Sequence, residues 1–327
     1  VFLYVEPADS KHHGELKLFE RRFLIPTMHI TYESMVRLPD DRSLMENVLM
    51  KLNMKAFGQN YQVKPEKFAD PLWMNGSTLV MGYDVWHPPA ASHAERIHGG
   101  TLEPSVVGFS FNGGVSPATF IGDYHYQEPT KEKVNDAVLS ARMKWMLGLF
   151  EKNRGNLPSL IIVVRDGISM GQYTAAMDEL SALREACEEW ARSKDRAAMV
   201  KKPANDDYKP KFIFVVATKR HHNRVWQRNG QSEFNNAPAM TVVDKTIVNP
   251  VLFEFFLQSH TPLQGQAKGT KYVVLKDDVG TTSDAVQSLM GALCFEHQIS
   301  ANSISIPEPV YQADEWAKRG ASNYKMF

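Results

Sequence analysis

Cysteine is nearly missing from this chain, which has two, Cys187 and Cys294, in 327 residues. Two thiols so far apart exclude a disulfide framework and a Cys-x-x-Cys metal site, and they predict a reducing compartment, cytoplasmic or nuclear. Net charge is missing too. Lys plus Arg and Asp plus Glu each number 37, which removes the simplest sign of a nucleic-acid partner, a basic domain. Apolar runs such as Leu160 to Val164 fall far short of the ~20 residues a membrane-spanning helix needs, so no membrane partner is expected. No repeat and no low-complexity tract is visible. The chain opens at Val1 with a strand-like VFLYV rather than a signal peptide, which predicts a start inside a longer protein.

What is present is ordinary for a globular chain: 43% hydrophobic and 23% charged residues. Five runs rich in Val, Ile, Phe and Leu predict strands at Val1–Val5, Ser77–Val85, Ser105–Phe111, Leu157–Val164 and Lys211–Thr218. Between them, Val134–Lys152 and Thr174–Arg196 carry helical periodicity. Strands alternating with helices of this length predict an α/β fold, a central sheet flanked by helices. The polar stretch Gln59–Pro71 is the expected boundary, giving units of residues 1–60 and 61–327. Charge is segregated locally: from Arg196 to Arg228 nine Lys or Arg face two Asp.

Two aspartates end apolar runs. Asp84 closes LVMGYD, and Asp166 follows five apolar residues in LIIVVRDG. A carboxylate carried into a buried strand is costly unless a cation meets it. Two at the ends of adjacent strands are how a pair of divalent ions is gathered about 4 Å apart for phosphodiester hydrolysis, with oxygen-loving Mg²⁺ or Mn²⁺ the natural choice. Each could equally be a plain strand-ending turn residue, since Asp-Gly turns are common. Spacing leaves both readings open.

The surrounding motifs separate them. GYDVWHP, VVRDGISMGQY, TKRHHNR, TVVDKTIVNP…FFLQSH and SIPEPVYQADEWAKR occur in this order. Together they resemble the Piwi domain of eukaryotic Argonautes, a ribonuclease-H-like fold, with a fungal, quelling-type member among the readings. Upstream, ENVLMKLNMKAFGQN resembles the stretch where a Rossmann-like Mid domain runs into Piwi. The resemblance implies a Piwi domain with a mixed central sheet, preceded by the C-terminal part of Mid. It also implies small-RNA-guided silencing, in which the protein binds a small guide RNA by its 5′ phosphate and cleaves a complementary target RNA. Its partners would be those RNAs and silencing-complex proteins.

Carried over position by position, Asp84 and Asp166 match the first two catalytic aspartates. Asp314 stands where the family usually has His in its Pro-x-Tyr-x-Ala-His pattern, and would complete the ligand set for two Mg²⁺ or Mn²⁺ ions. Glu132 matches the glutamate that reaches in from a loop, with Glu128 as competitor. His13, Lys17, His29, Lys51, Lys55, Tyr311 and Arg319 match the 5′-phosphate pocket, His13 replacing the usual Tyr. Lys219, Arg220, His221, His222 and Arg224, with Lys268 and Lys271, match positions that grip the guide backbone. The His pair alone could suggest zinc, but no second His/Cys cluster accompanies it. The competing reading is a guide-loaded scaffold that recruits partners and does not cut. A transposase or integrase on the same fold is more distant.

Overall fold

The computed structural model describes residues 1–10, 12–73, 75–89, 103–230 and 233–326. The chain begins with β1 (Phe2–Glu6), α1 (His13–Phe23), β2 (Thr27–Thr31), α2 (Tyr32–Arg37), α3 (Arg42–Lys55) and a short α4 (Asp70–Trp73). There follow β3 (Thr78–Trp86), β4 (Ser105–Phe111), β5 (Ile121–Gln127), α5 (Asp136–Arg154), β6 (Leu160–Asp166), α6 (Tyr173–Arg192) and α7 (Lys194–Val200). The last part holds β7 (Lys211–Thr218), β8 (Trp226–Asn229), β9 (Glu233–Asn236), β10 (Thr241–Val243), β11 (Phe253–Gln258), β12 (Thr270–Asp277), α8 (Ser283–Leu293) and α9 (Glu308–Tyr324).

Eight strands form one sheet in the order β10-β11-β12-β7-β6-β3-β4-β5. At its centre β3, β6 and β7 run parallel, while the outer pairs are antiparallel, so the sheet is mixed. The central strands read as near-continuous Val, Ile and Leu because helices cover both faces. Period-2 alternation sorts their side chains. Leu79, Met81 and Tyr83 join Ile161 and Val163 in a core with α5 and α6, whereas Val80, Ile162 and Val164 face α8 and the start of α9.

All five anticipated strands are present with small shifts of boundary. The expected helix Thr174–Arg196 is broken. Ser193 adopts an extended conformation, and its hydroxyl accepts the Arg196 amide, capping a second helix. Residues 1–60 hold their own parallel pair, β1–β2, separate from the large sheet. They meet the rest where α1 packs on α9. Beside this seam, the Tyr61 hydroxyl lies 2.6–2.8 Å from the carbonyls of Phe295, His297 and Ser300.

Helix α9 lies close against the sheet because glycine makes room for it. A Cβ on Gly82 would stand 2.5 Å from the Pro309 carbonyl carbon, and one on Gly108 would overlap the Ala313 carbonyl oxygen.

Candidate functional site

Register brings the two strand-end aspartates together. Gly82 pairs with Val164 and Tyr83 with Arg165 across the parallel strands β3 and β6. One step further along stand Asp84 and Asp166. Alternation turns both toward the α9 face, away from Tyr83 and Arg165. Asp84 is also the cross-strand partner of Gly108, the residue that admits the Ala313 carbonyl, so the next residue of α9, Asp314, is delivered to the same place. Both other carboxylates act on Asp166, whose carboxyl is pushed up to about 7 by burial and by Asp84, with a smaller push from Asp314. Burial raises Asp84 as well; Arg165 opposes that shift, and Asp314 and Glu132 add to it.

The loop after β6 turns at Gly167, whose φ is +86°, a conformation only glycine adopts without strain. The space a Cβ would take there lies 3.4 Å from both Asp84 Oδ1 and Glu132 Oε1. Glu132 therefore stands at the aspartates. Glu128 is exposed and paired with Lys131. Glu132 is held from two sides: Arg165 Nη2 donates to its Oε1 and to its backbone carbonyl at 2.9 Å each, and His87 Nε2 donates to its Oε2 at 2.9 Å. Arg165 is completely buried. It lies over the Tyr83 ring and 3.5 Å from Glu179, which also accepts the Tyr83 hydroxyl and the Val134 amide. Of this inner ring, Tyr83, His87 and Arg165 lie within the two aspartate motifs but are not distinguished there by residue type or spacing, and Glu179 carried no sequence signal.

Asp314 is also salt-bridged to Lys318, one turn along α9, at 2.6 Å. Among the described residues no three His, Cys, Asp or Glu groups are drawn into a ready metal shell. The donor chemistry fits a hard divalent cation all the same: every candidate ligand is a carboxylate oxygen, and burial and like charge raise two of the carboxyls, a penalty that a cation would relieve.

The second cluster forms where α1 and α3 meet α9. Lys17 donates to Glu20 Oε2 at 2.8 Å and to the Thr27 carbonyl and hydroxyl. Lys55 donates to the other Glu20 oxygen at 2.7 Å, and Arg319 lies 3.9 Å from this carboxylate. Lys51 completes the group; burial and the charges of Lys55 and Arg319 lower its pKa. Burial brings Lys17 to about 8, while against its own burial Glu20 is held at about 2 by Lys17, Lys55 and the Thr27 amide. Four cations around one carboxylate leave a strong excess of positive charge, the electrostatic condition for an anion site. His13 and His29 face each other at 3.2 Å between ring nitrogens, and His29 reaches the buried Glu6 at 3.0 Å. Tyr311 packs edge-on against His297. His29, Lys51 and His297 line a cleft of about 380 Å³. Glu6, Glu20 and His297 were not anticipated from the sequence.

The third group is less uniform. Arg220, His222 and Lys268 are exposed after β7 and before β12. Lys219 donates to Ser305 at 2.5 Å, and Lys271 lies 3.6 Å from Glu254. His221 stacks edge-on against Phe256 and bonds the Gly269 carbonyl, and Arg224 donates to the His221 carbonyl. These last four are tied into the wall, so they shape it as well as charging it.

A mixed sheet carrying paired aspartates at neighbouring parallel strand ends defines the ribonuclease-H-like class. The Piwi-domain profile matches residues 1–325, and the chain belongs to that family, among the eukaryotic Argonautes. It is 32% identical over 330 aligned residues to Argonaute protein wago-1 of Caenorhabditis elegans, covering 98% of this chain and 32% of that protein. The chain thus spans about a third of this relative's length. Among solved structures it resembles Kluyveromyces polysporus Argonaute with a guide RNA (25% identity, TM-score 0.80, 99% of this chain and 38% of that one). It also resembles the C-terminal lobe of a budding yeast Argonaute (25% identity, TM-score 0.82, 99% and 63%). With relatives in a nematode and in yeasts, the similarity does not select a fungal subtype. No helix among the described residues is long and apolar enough to cross a membrane.

Proposed function

We propose that this chain is the guide-holding and target-cutting part of a small-RNA silencing protein. The observation that carries the reading is the pairing of two sites on one helix. Helix α9 brings Arg319 to the cluster of Lys17, Lys51 and Lys55, and Asp314 to the aspartates of β3 and β6. The cation cluster suits the 5′ phosphate of a guide strand, since its charge excess needs an anion with several acceptor oxygens. Residues 1–60 act in this reading as the C-terminal part of Mid, and His13, His29 and Tyr311 border the first nucleotide. Lys219 to Arg224, with Lys268 and Lys271, follow the guide backbone, while base pairing selects the target RNA, as in other guided nucleases.

Asp84, Asp166 and Asp314 would hold Mg²⁺ or Mn²⁺, which when bound activates water and steadies the leaving oxygen of a phosphodiester. The chain's own contribution is orientation. Strand register sets the two aspartates side by side, and His87 and Arg165 keep the Glu132 carboxylate aimed at Asp84 across the Gly167 turn. There Glu132 can accept a hydrogen bond from an attacking water. Burial keeps bulk solvent from competing.

One observation favours the scaffold reading, a protein that loads a guide and recruits partners without cutting: the salt bridge that draws Asp314 toward Lys318. The deciding experiment is cleavage of a labelled, matched target by the full-length protein with a defined guide, with and without Mg²⁺. Metal-dependent cutting at one position supports the nuclease. Tight guide binding with no product supports the scaffold.

A further inference from the structure

The hairpin β8–β9 stands outside the eight-stranded sheet as a two-stranded unit. Its register pairs Trp226 with Asn236 and Arg228 with Phe234. Alternation therefore puts Trp226, Arg228, Phe234 and Asn236 on one face, and Gln227, Asn229, Glu233 and Asn235 on the other. Both rings on the first face are open to solvent, Trp226 by 48% and Phe234 by 59%. Neither is stacked on another ring among the described residues. Exposed aromatic surface of this size on a small hairpin gains nothing from folding unless something covers it.

Charge indicates what does. From Lys219 to Asn236 the cations Lys219, Arg220, Arg224 and Arg228 face a single acid, Glu233, which lies on the opposite side of the hairpin. The base of the hairpin is fixed to the loop that leads into Lys268. Asn236 donates to the Gly265 carbonyl and accepts the Ala267 amide, each at 2.9 Å. An aromatic face rooted between two basic segments matches the chemistry of unpaired nucleic acid, whose bases offer flat π surfaces and whose backbone offers negative charge.

We propose that Trp226 and Phe234 form a stacking surface for unpaired bases of RNA, continuous with the basic wall of Lys219 to Arg224. The proposal rests on the RNA-binding reading above and adds a contact to bases rather than to backbone.

The test uses the full-length protein with a defined guide and two fluorescent RNA targets. One target has only the paired segment; the other is extended by unpaired nucleotides on both sides. The Trp226→Ala/Phe234→Ala variant is expected to bind guide and paired-only target as the wild type does. For the extended target it should lose about five- to 150-fold in affinity, the range that base–aromatic stacking of ~1–3 kcal/mol produces. The Trp226→Tyr/Phe234→Tyr variant should keep most of it. Equal binding of the extended target by wild type and the Ala variant would overturn the proposal, as would an equal loss on every RNA. A change only in association with other proteins would overturn it too, in favour of a protein partner. If the wild type bound no guide, the silencing reading would fail alone, and the same comparison on an unguided single strand would still decide the hairpin.

Discussion

Gly108 and Ala313 touch backbone to backbone: the space for a Cβ on the glycine is filled by the Ala313 carbonyl, and the Ala317 amide nitrogen lies 2.7 Å from the same point. Replacing Gly108 by Ala must therefore push α9 off the sheet or bend β4. Overpacking of this kind costs ~1–3 kcal/mol, and more where backbone has to yield. Because Asp314 follows Ala313, target cutting should fall by far more than the fraction of unfolded protein accounts for. Urea midpoints set beside cleavage rates will show whether both fall together.

Asp166→Ala should abolish target cutting and leave guide affinity within about twofold. Loss of one ligand from a catalytic metal site commonly costs orders of magnitude in rate, while the cation cluster proposed for the guide's phosphate is a separate one. Single-turnover cleavage and a guide titration on the same preparation check it. Undiminished cutting would place the active centre elsewhere.

Lys17→Ala combined with Lys51→Ala should weaken a 5′-phosphorylated guide far more than a 5′-hydroxyl guide. Charge-assisted contacts are worth roughly 1.5–3 kcal/mol each, so two acting independently predict a loss of about 150- to 25,000-fold, less if Lys55 and Arg319 compensate. Fewer counterions would be released, so the salt dependence should flatten. An identical proportional loss for both guides would mean that these lysines grip the strand without reading its end.

The same pocket should respond to pH. Lys17 titrates near 8 in the folded chain, well below its ordinary 10.5, so it is charged at pH 7 and neutral at pH 9.5. A bound phosphate favours the charged form, so binding takes up a proton above pH 8. The preference for a 5′ phosphate should then decline as pH rises, by up to about tenfold per pH unit in the steepest stretch. Guide titrations between pH 7 and 9.5 will measure that slope.

Glu296 predicts a stability effect with a definite sign. It is fully buried, and burial together with Glu308 raises its carboxyl from 4.5 to about 8. The folded protein therefore holds more protons than the unfolded chain between these values, and stability should fall as pH rises through that window. Glu296→Gln, which cannot ionise, should flatten the decline. Urea midpoints at pH 5 and pH 8.5 for both proteins make the comparison.

Much of the central sheet was legible because β3, β4, β6 and β7 are apolar on both faces and announce themselves by composition alone. The edge strands β5 and β10, and the hairpin β8–β9, bury little and carry no such signal. The break at Ser193 escaped for a different reason: the apolar periodicity of α6 runs straight into α7, and only the serine's cap separates them. At the site, the motif strings located the carboxylates and the lysines. Glu20, which draws Lys17 and Lys55 together, and Glu179, which braces Arg165, could not be found that way. Each sits on a helix among other charged residues, and only folding shows which charges are buried together.

Helix α9 has a genetic consequence. A single rigid rod presents Arg319 to the cation cluster and Asp314 to the strand-end aspartates, so any change that moves the rod should injure both at once. Variants at Gly82 and Gly108 should therefore form one phenotypic class, defective in loading and in cutting alike. Alleles that separate the two activities are expected only at side chains that leave the rod in place, such as Asp314 on one hand and Arg319 on the other.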